Sequence, residues 1–355
     1  GKGYTHNRFM ISRGRRITMV VKRPTTIKDV AKKAGVSIST VSRVINDSKP
    51  VTHEVKQRVL DVIKETGYVP NPLARSLVTK KSQLIGVIVP EVTDTFAAEV
   101  LNGIEEISKM YDYDILLANT YSEKDLEVKN INILRAKQVE GIVMISWDID
   151  KDVVGLLEDS GIPAVYISKT TRDFDIYNVS INNNSAVKDM TNFLLDRGHK
   201  KIALLNTTFQ TNLADERITG YRDAIVGRGL KVNEGFIKSC GPTFDDGYMA
   251  VKEMLESKVD VDAIFATSDE VAIGAINACF DLGYKVPEDI SVVGFYDIEF
   301  SKMCRPKLTT VKQPLYDMGA VAIRMIIKMV KGIEIDEKKV ELPYTISDRD
   351  SVATR

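Results

Sequence analysis

Apolar residues recur at helical spacing in three short segments between residues 26 and 67. The first opens with the capping-box pattern T-x-x-D at Thr26 and stops at Gly35, and the third runs from Thr52 to a stop at Gly67. Between them, SISTVSRVIN places Val41, Val44 and Ile45 on one side and presents a small, polar and basic face on the other. The pattern predicts three helices around one small core, although units of this kind occur in proteins of many functions.

From residue 82 onward, continuous apolar runs alternate with amphipathic stretches. The strand-like runs are LIGVIVP, DILLAN, GIVMI, AVYIS, KIALLN, AIFAT and ISVVGF, and helical patterns such as 98–110 and 126–137 separate them. Continuous apolar strands between helices indicate parallel sheets that are covered on both faces. About 270 residues suffice for two such lobes, so we predict an α/β fold with a two-lobed C-terminal domain of parallel sheets.

A short segment, YVPNPLARSLVTKKS, connects the two patterns. Asn71 can cap a helix, and Ala74 and Leu77 lie on its narrow apolar side. So short a helix is marginal in water and needs a second copy and a surface on which to form. We therefore expect four parts, a disordered extension over 1–23, a helix-turn-helix domain over 24–69, a short helix and linker over 70–82, and a two-lobed domain over 83–355.

The chain is neutral as a whole, but its charges are unevenly divided. It has 49 Lys and Arg against 49 Asp and Glu, yet residues 1–81 hold 18 basic and five acidic residues, whereas residues 82–355 hold 31 and 44. A basic arm of this kind usually meets nucleic acid, although a tail that merely aids solubility is the alternative. Because two helices joined by a tight turn can place the second in the DNA major groove, DNA is the predicted partner of the first domain.

Several classes of protein are disfavoured by what the sequence lacks. It has no phosphate-binding glycine loop, no HExxH motif and no G-x-S-x-G elbow, so an enzyme is a minor hypothesis, with His199 as the one histidine available to the large domain. Its three cysteines form no CxxC pair, and we expect neither a metal site nor another cofactor. No apolar run is long enough to span a membrane and the N-terminus lacks a signal-like centre, so the cytoplasm is the expected location.

Polar and aromatic residues follow four of the predicted strands, at the edge where open α/β sheets bind ligands. Trp147, the only tryptophan, could stack on a sugar-like ring or could equally plug the rim of the core. Arg217 could grip a hydroxyl pair or a carboxylate, or could form a surface ion pair with Asp215 or Asp223. The candidate effector-binding residues are Asp94, Phe96, Ser146, Trp147, Arg217, Ser268, Asp269, Tyr296 and Asp297.

The segments TIKDVAKKAGVSISTVSRVIN, YVPNPLAR, RITGYRDAI, VPEDISVVGF and RPKLTTVKQP, in this order, resemble the LacI/GalR family of bacterial transcription regulators. The resemblance covers residues 24–351. It implies that 70–82 holds a hinge helix and that 83–355 is a periplasmic-binding-protein-like domain for effector binding and dimerisation. It further implies a homodimeric repressor of a palindromic operator, controlled by a small carbohydrate-like effector, a sugar or sugar phosphate, bound between two lobes. It also implies that Leu77 is a wedge in the minor groove. The residues it assigns to DNA are Thr26, Ser37, Ile38, Ser39, Thr40, Arg43, Asn46, Asn71, Ala74 and Leu77.

One position departs from the family pattern, because GFYD places Tyr296 where most members that bind sugars or purines have aspartate. This departure argues against a simple monosaccharide as effector. Other segments, among them MYDYDILLAN, AKQVEGIV and MCRPKLTTVKQPLYDMGAVAIR, resemble the catabolite-control branch of the family. That second resemblance implies an alternative in which the serine-phosphorylated carrier protein HPr is the corepressor and Arg305 and Lys307 meet its phosphate.

Overall fold

The computed structural model describes residue 23 and residues 25–70, 81–146, 149–167, 174–207 and 211–355. The chain divides into two compact units, one up to Lys81 and one from Ser82 to Arg355. Four residues that the sequence singles out lie outside the described residues, namely Asn71, Ala74 and Leu77 of the predicted hinge and Trp147 of the predicted cleft. All but the last residue of the predicted extension also lie outside them.

Within its described residues, the first unit is the predicted bundle of three helices. They are α1 (Ile27–Ala34), α2 (Ile38–Asn46) and α3 (His53–Thr66). Thr26 and Asp29 form the expected capping box ahead of α1, and Gly35 and Gly67 end α1 and α3 at positive φ, where glycine is least strained. The helices enclose a small core of Val30, Ala31, Ala34, Val41, Val44, Val59 and Val62.

The second unit contains twelve strands within its described residues, and the seven strand-like runs of the sequence account for β1, β2, β3, β4, β6, β8 and β9. In chain order the strands are β1 (Leu84–Val89), β2 (Asp114–Asn119), β3 (Gly141–Ile145), β4 (Ala164–Ile167), β5 (Tyr177–Ser180), β6 (Ile202–Thr207), β7 (Ile237–Cys240), β8 (Ala263–Ala266), β9 (Ser291–Tyr296), β10 (Thr309–Lys312), β11 (Lys339–Glu341) and β12 (Thr345–Ser347).

Helices connect these strands as the alternating pattern predicted. They are α4 (Thr95–Met110), α5 (Lys124–Ala136), α6 (Lys151–Ser160), α7 (Asn183–Asp196), α8 (Thr211–Gly227), α9 (Phe244–Glu256), α10 (Asp269–Asp281), α11 (Glu299–Met303) and α12 (Leu315–Val330), with a single 3-10 turn at Glu234–Phe236. Over the ranges that the structure describes, no helix has the length and apolar character needed to cross a bilayer.

The strands form two six-stranded sheets, which define a first and a second lobe. The first sheet has the order β11-β5-β4-β3-β1-β2 and is parallel throughout, and the second has the order β12-β10-β9-β8-β6-β7, with only β12 antiparallel to its neighbour. The chain passes between the lobes three times, after β5, β10 and β11. The carboxyl ends of the parallel strands in each lobe therefore share one edge, where ligands bind in such sheets.

Alternate residues of a strand pack against different helices, which is why the apolar runs are continuous. In β1, Ile85, Val87 and Val89 join a core with α4 and α12, whereas Ile88 packs with residues of α5 and α6 on the opposite face. A strand that is buried on both faces needs apolar residues at every position rather than at every second one. The two covered faces make each sheet a rigid base for the residues at its edge.

Candidate DNA-binding face and interlobe cleft

The exposed side of α2 is the candidate DNA-binding face. Ile38 is 45% exposed, Ser39 and Arg43 are exposed and Thr40 is partly exposed, while the apolar side of the helix packs into the core of the first unit. Small, hydroxyl-bearing and basic side chains on one accessible helix side are the groups that contact base edges and phosphates in a major groove. The structure therefore brings four of the predicted DNA-binding residues onto one face.

Three other candidates in this unit have local partners. Ser37 caps α2 by accepting a hydrogen bond from an amide of its first turn at 3.1 Å, and Thr26 shares the capping box of α1 with Asp29. Asn46 is half-buried, since its Nδ2 donates to the carbonyl oxygen of Ser42 at 2.9 Å. Its Oδ1 is buried without a partner among the described residues. These side chains thus hold the ends of the helices that carry the exposed face.

Arg43 differs from several other cations of the first unit in having no side-chain partner among the unit's described residues. Ion pairs join Lys33 to Glu65, Lys56 to Asp47 and Arg58 to Glu54. Arg43 forms neither an ion pair nor a side-chain hydrogen bond with any residue in the described part of this unit. Its planar guanidinium is therefore open to an external acceptor such as a guanine edge or a phosphate.

The second candidate site lies where the two lobes meet at the carboxyl ends of their strands. Phe96, in the first turn of α4, belongs to the first lobe, and Tyr296 ends β9 in the second. Their ring centroids are 5.4 Å apart at an interplanar angle of 62°, an edge-to-face contact. Beside this pair, the hydroxyl of Thr95 donates to the carboxylate of Glu270 at 3.1 Å. Both contacts join the lobes.

Arg217 of α8 extends into this region and is only 1% exposed. Its Nη1 donates to a main-chain carbonyl and its Nη2 to the hydroxyl of Tyr296, both at 3.1 Å, while its guanidinium carbon lies 4.4 Å from the ring centroid of Phe295. Its buried Nε has no partner within the described ranges. The alternative prediction, a surface ion pair of Arg217 with Asp215 or Asp223, is wrong, because the guanidinium is buried and directed to the cleft.

Tyr296 and Asp297 have φ values of 115° and 62°, a region that disfavours residues other than glycine and costs about 1–3 kcal/mol at each. Two carboxylates hold this turn. That of Asp297 pairs with the guanidinium of Arg349, and that of Asp269 accepts a hydrogen bond from the amide of Ile298 at 2.8 Å. We expected Asp269 and Asp297 to contact an effector, but the structure directs both into the protein, where they fix the turn that positions Tyr296.

Asp269 is completely buried beneath this turn. Burial raises the pKa of its carboxyl to about 7, although hydrogen bonds from the hydroxyl of Thr310 and the amide of Ile298 oppose the shift. Its carboxylate oxygen also lies so close to Gly294 that no larger residue fits there without movement. The group is part of the packing of the second lobe.

The remaining candidates lie at the predicted edge. Asp94 caps α4 by accepting a hydrogen bond from the amide of Phe96 at 2.8 Å, and buried Ser146, directly after β3, donates to Glu127 at 3.5 Å. Ser268 precedes α10, and its side chain makes no capping hydrogen bond to that helix. Sequence reasoning missed Thr95 and Glu270, because a polar residue in the first turn of a helix carries no signal that it faces another lobe.

Arg305 and Lys307 are exposed on the second lobe, between α11 and β10. The Nη1 of Arg305 donates to two main-chain carbonyls, at 2.9 and 3.1 Å. Two apolar residues of α11 are also largely exposed, Phe300 at 56% and Met303 at 60%. The described residues contain no group of three His, Cys, Asp or Glu side chains placed to hold a metal ion.

The chain matches two family models. One is described as bacterial regulatory proteins of the lacI family and matches residues 26–71, and the other as periplasmic binding proteins and sugar binding domain of the LacI family and matches residues 82–348. The chain is also similar to catabolite control protein A of Priestia megaterium, with 38% identity over 92% of this chain and 98% of that protein.

Solved structures give the same picture. The chain is similar to the transcriptional regulator CelR in its complex with cellobiose, with 28% identity and a TM-score of 0.71. The match covers 93% of this chain and 100% of the CelR chain. The Lac repressor dimer bound to operator and the anti-inducer ONPF is 24% identical over the same shares and has a TM-score of 0.85, a likeness that concerns the fold alone.

Proposed function

Because the chain belongs to the LacI family of bacterial regulatory proteins, we propose that it acts as a homodimeric repressor that binds a palindromic operator and senses a small carbohydrate-like effector between its lobes. The observation that carries the proposal is the open, polar and basic side of α2, with Arg43 unpaired by any described residue of its unit. Such a regulator works in the cytoplasm, where the bacterial chromosome lies.

The mechanism is a shift between populations of two lobe arrangements. An effector that favours one arrangement changes how the paired hinge segments are held, and with it their ability to fold on DNA. In this proposal α2 of each copy enters a major groove of one half-site, and the hinge residues Asn71, Ala74 and Leu77 contact the DNA between the half-sites. The named relatives are transcription regulators, and we propose that this chain has no catalytic activity; turnover of a sugar in a direct assay would contradict that.

Arg43→Ala should weaken binding to the operator by about 1–3 kcal/mol, because a bidentate contact to a base is lost. Binding to unrelated DNA should weaken much less, so the preference for the operator falls. Fluorescence anisotropy at one fixed salt concentration measures both affinities. Arg58→Ala is the matched control, since Arg58 is exposed on α3 and already paired with Glu54. An operator preference that survives in Arg43→Ala would remove this residue from base recognition.

The buried guanidinium of Arg217 supports a polar effector, and one relative carries cellobiose in its solved complex. In a thermal-shift screen over sugars and sugar phosphates, a ligand at about 100 times its Kd should stabilise the folded chain by about 2.7 kcal/mol. Arg217→Met should lose the shift. Arg222→Met, which changes an exposed arginine of the same helix paired with Glu234, should keep it. A shift of equal size in both variants would place the ligand elsewhere.

A second candidate function is control by serine-phosphorylated HPr. The observation in its favour is the exposed pair of cations Arg305 and Lys307 beside the exposed apolar side chains of Phe300 and Met303, a combination suited to a phosphoprotein surface. Calorimetry should then show a heat of binding with phosphorylated HPr and none with the unphosphorylated form. Arg305→Ala should abolish the heat of binding with phosphorylated HPr. Binding of neither form leaves the small effector as the regulator.

A further inference from the structure

The ring of Tyr296 makes the contacts that a bound ligand ring would make. It packs against the apolar cores of both lobes, and it meets Phe96 of the first lobe and Phe295 of the second edge-to-face, with centroids 5.4 Å away in each case. Its hydroxyl accepts a hydrogen bond from Arg217. Aromatic walls and one convergent polar group are how a cleft holds a flat or cyclic ligand.

The backbone shows that this placement is held by its surroundings. Tyr296 has a φ of 115°, and the residue after it is also at positive φ. Strained residues persist only where neighbouring groups determine the conformation, and they concentrate at ligand sites and switches. Here the carboxylates of Asp269 and Asp297 are bonded on the far side of the turn, to the amide of Ile298 and to Arg349. The turn is thus anchored in the second lobe while its ring reaches the first.

We propose that Tyr296 is a resident occupant of the interlobe cleft and its specificity-determining residue. Its ring joins the two lobes in the absence of an effector, and a sugar-like effector binds only when that ring leaves Phe96 and Arg217. The inference rests on the proposed effector site. It has two consequences. The closed arrangement is populated without ligand, and the apparent affinity for an effector is reduced by the fraction of molecules in which the ring occupies the cleft.

Cross-linking between the lobes tests this directly in the full-length chain. Thr95→Cys and Glu270→Cys place thiols at two positions whose side chains are hydrogen-bonded across the lobes. Cys304→Ser removes the partly exposed native thiol, and Cys240 and Cys279 are buried. The rate of cross-linking by bismaleimidoethane, without ligand and without DNA, then reports how much of the time the lobes are together.

Tyr296→Ala should cross-link about tenfold more slowly than the parent, since it loses an aromatic pair and a hydrogen bond between the lobes. Tyr296→Phe keeps the ring and should stay within about threefold of the parent. Phe280→Ala, which truncates an exposed aromatic side chain of the second lobe, should leave the rate unchanged. Equal rates in Tyr296→Ala and the parent would overturn the proposal.

Rescue by p-cresol, the free equivalent of the tyrosine side chain, separates occupancy from general stability. It should restore cross-linking of Tyr296→Ala and have no effect on the parent, whose cleft is already filled. Failure to restore the rate in a folded variant also overturns the proposal. If Tyr296→Ala does not fold, Tyr296→Leu, which keeps apolar volume without a ring, replaces it with the same expected slowing. The cross-linking assay contains no DNA, so it does not depend on operator binding. A chain that binds no operator but whose cross-linking depends on Tyr296 would contradict the proposed repressor function and leave the role of Tyr296 intact.

Discussion

Replacing Arg349 with alanine is expected to lower the free energy of unfolding of the second unit by about 3–5 kcal/mol. The guanidinium of Arg349 pairs with the carboxylate of Asp297, whose side chain is 5% exposed, and also donates to the carbonyl oxygen of Leu308 at 2.8 Å. Its removal leaves a buried negative charge whose remaining side-chain partners among the described residues are two hydroxyls, those of Ser301 at 3.0 Å and Ser347 at 3.2 Å. An uncompensated buried charge costs far more than a lost surface contact.

Urea unfolding followed by tryptophan fluorescence measures this effect, because the single tryptophan of the chain, Trp147, belongs to the second unit. Asp348→Ala is the matched control. Asp348 is the neighbouring residue and pairs with Arg197, but its side chain is 52% exposed, so its loss should cost no more than about 1 kcal/mol. Similar losses in the two variants would show that the pair of Arg349 and Asp297 is not the buried anchor of the Tyr296 turn.

Asp269→Asn is expected to change how the stability of the second unit depends on pH. Burial raises the pKa of Asp269 to about 7 in the folded chain, above its ordinary value of 3.8. Between these values the folded state binds more protons than the unfolded state, so the wild type loses stability as pH rises from about 4 to 7. Asparagine has no proton to lose, and the variant should gain up to about 4 kcal/mol relative to the wild type across that window.

The same urea titrations at pH 4.5, 6 and 8 provide the measurement. The free energy of unfolding of the wild type is subtracted from that of the variant at each pH, so that the contributions of other titrating groups cancel. Asp260→Asn is the control. Asp260 is 77% exposed, and its substitution should give a difference that hardly changes with pH. A pH-independent difference for Asp269→Asn would mean that the folded carboxyl titrates near its ordinary value and is not held neutral by burial.

The periodicity of the sequence predicted most of the fold, and one of the strands it missed, β10, shows why it can fail. Strands such as β1 are apolar throughout, whereas β10 reads TTVK and was not predicted. Thr310 can be buried in this strand because its hydroxyl donates a hydrogen bond to Asp269. The amide of Thr309 in turn donates to the hydroxyl of Ser351. Polar residues of this kind become good strand residues only when their tertiary partners are known.

The candidate cleft was predicted in outline but not in detail. The rule that ligands meet the carboxyl ends of parallel strands singled out Phe96 and Tyr296, which the structure brings into contact, whereas Arg217 was chosen as a polar residue of a helix. It could not distinguish carboxylates that face the cleft from carboxylates that support the turn behind it, as Asp269 and Asp297 do. The edge-to-face contact of Phe96 with Tyr296 joins residues far apart in the sequence, in different lobes, and no local pattern indicates it.

We propose that this chain recognises a specific palindromic DNA site through α2. The most direct test is to sequence the genomic fragments that the purified full-length chain retains, in parallel with its Arg43→Ala variant. We predict one enriched motif with two-fold symmetry, its half-sites spaced by about 34–36 Å or a multiple of that distance, and loss of the enrichment in the variant. Retention of fragments without a shared motif would show that the chain does not bind a specific site, and equal motifs with both proteins would show that Arg43 of α2 does not read it.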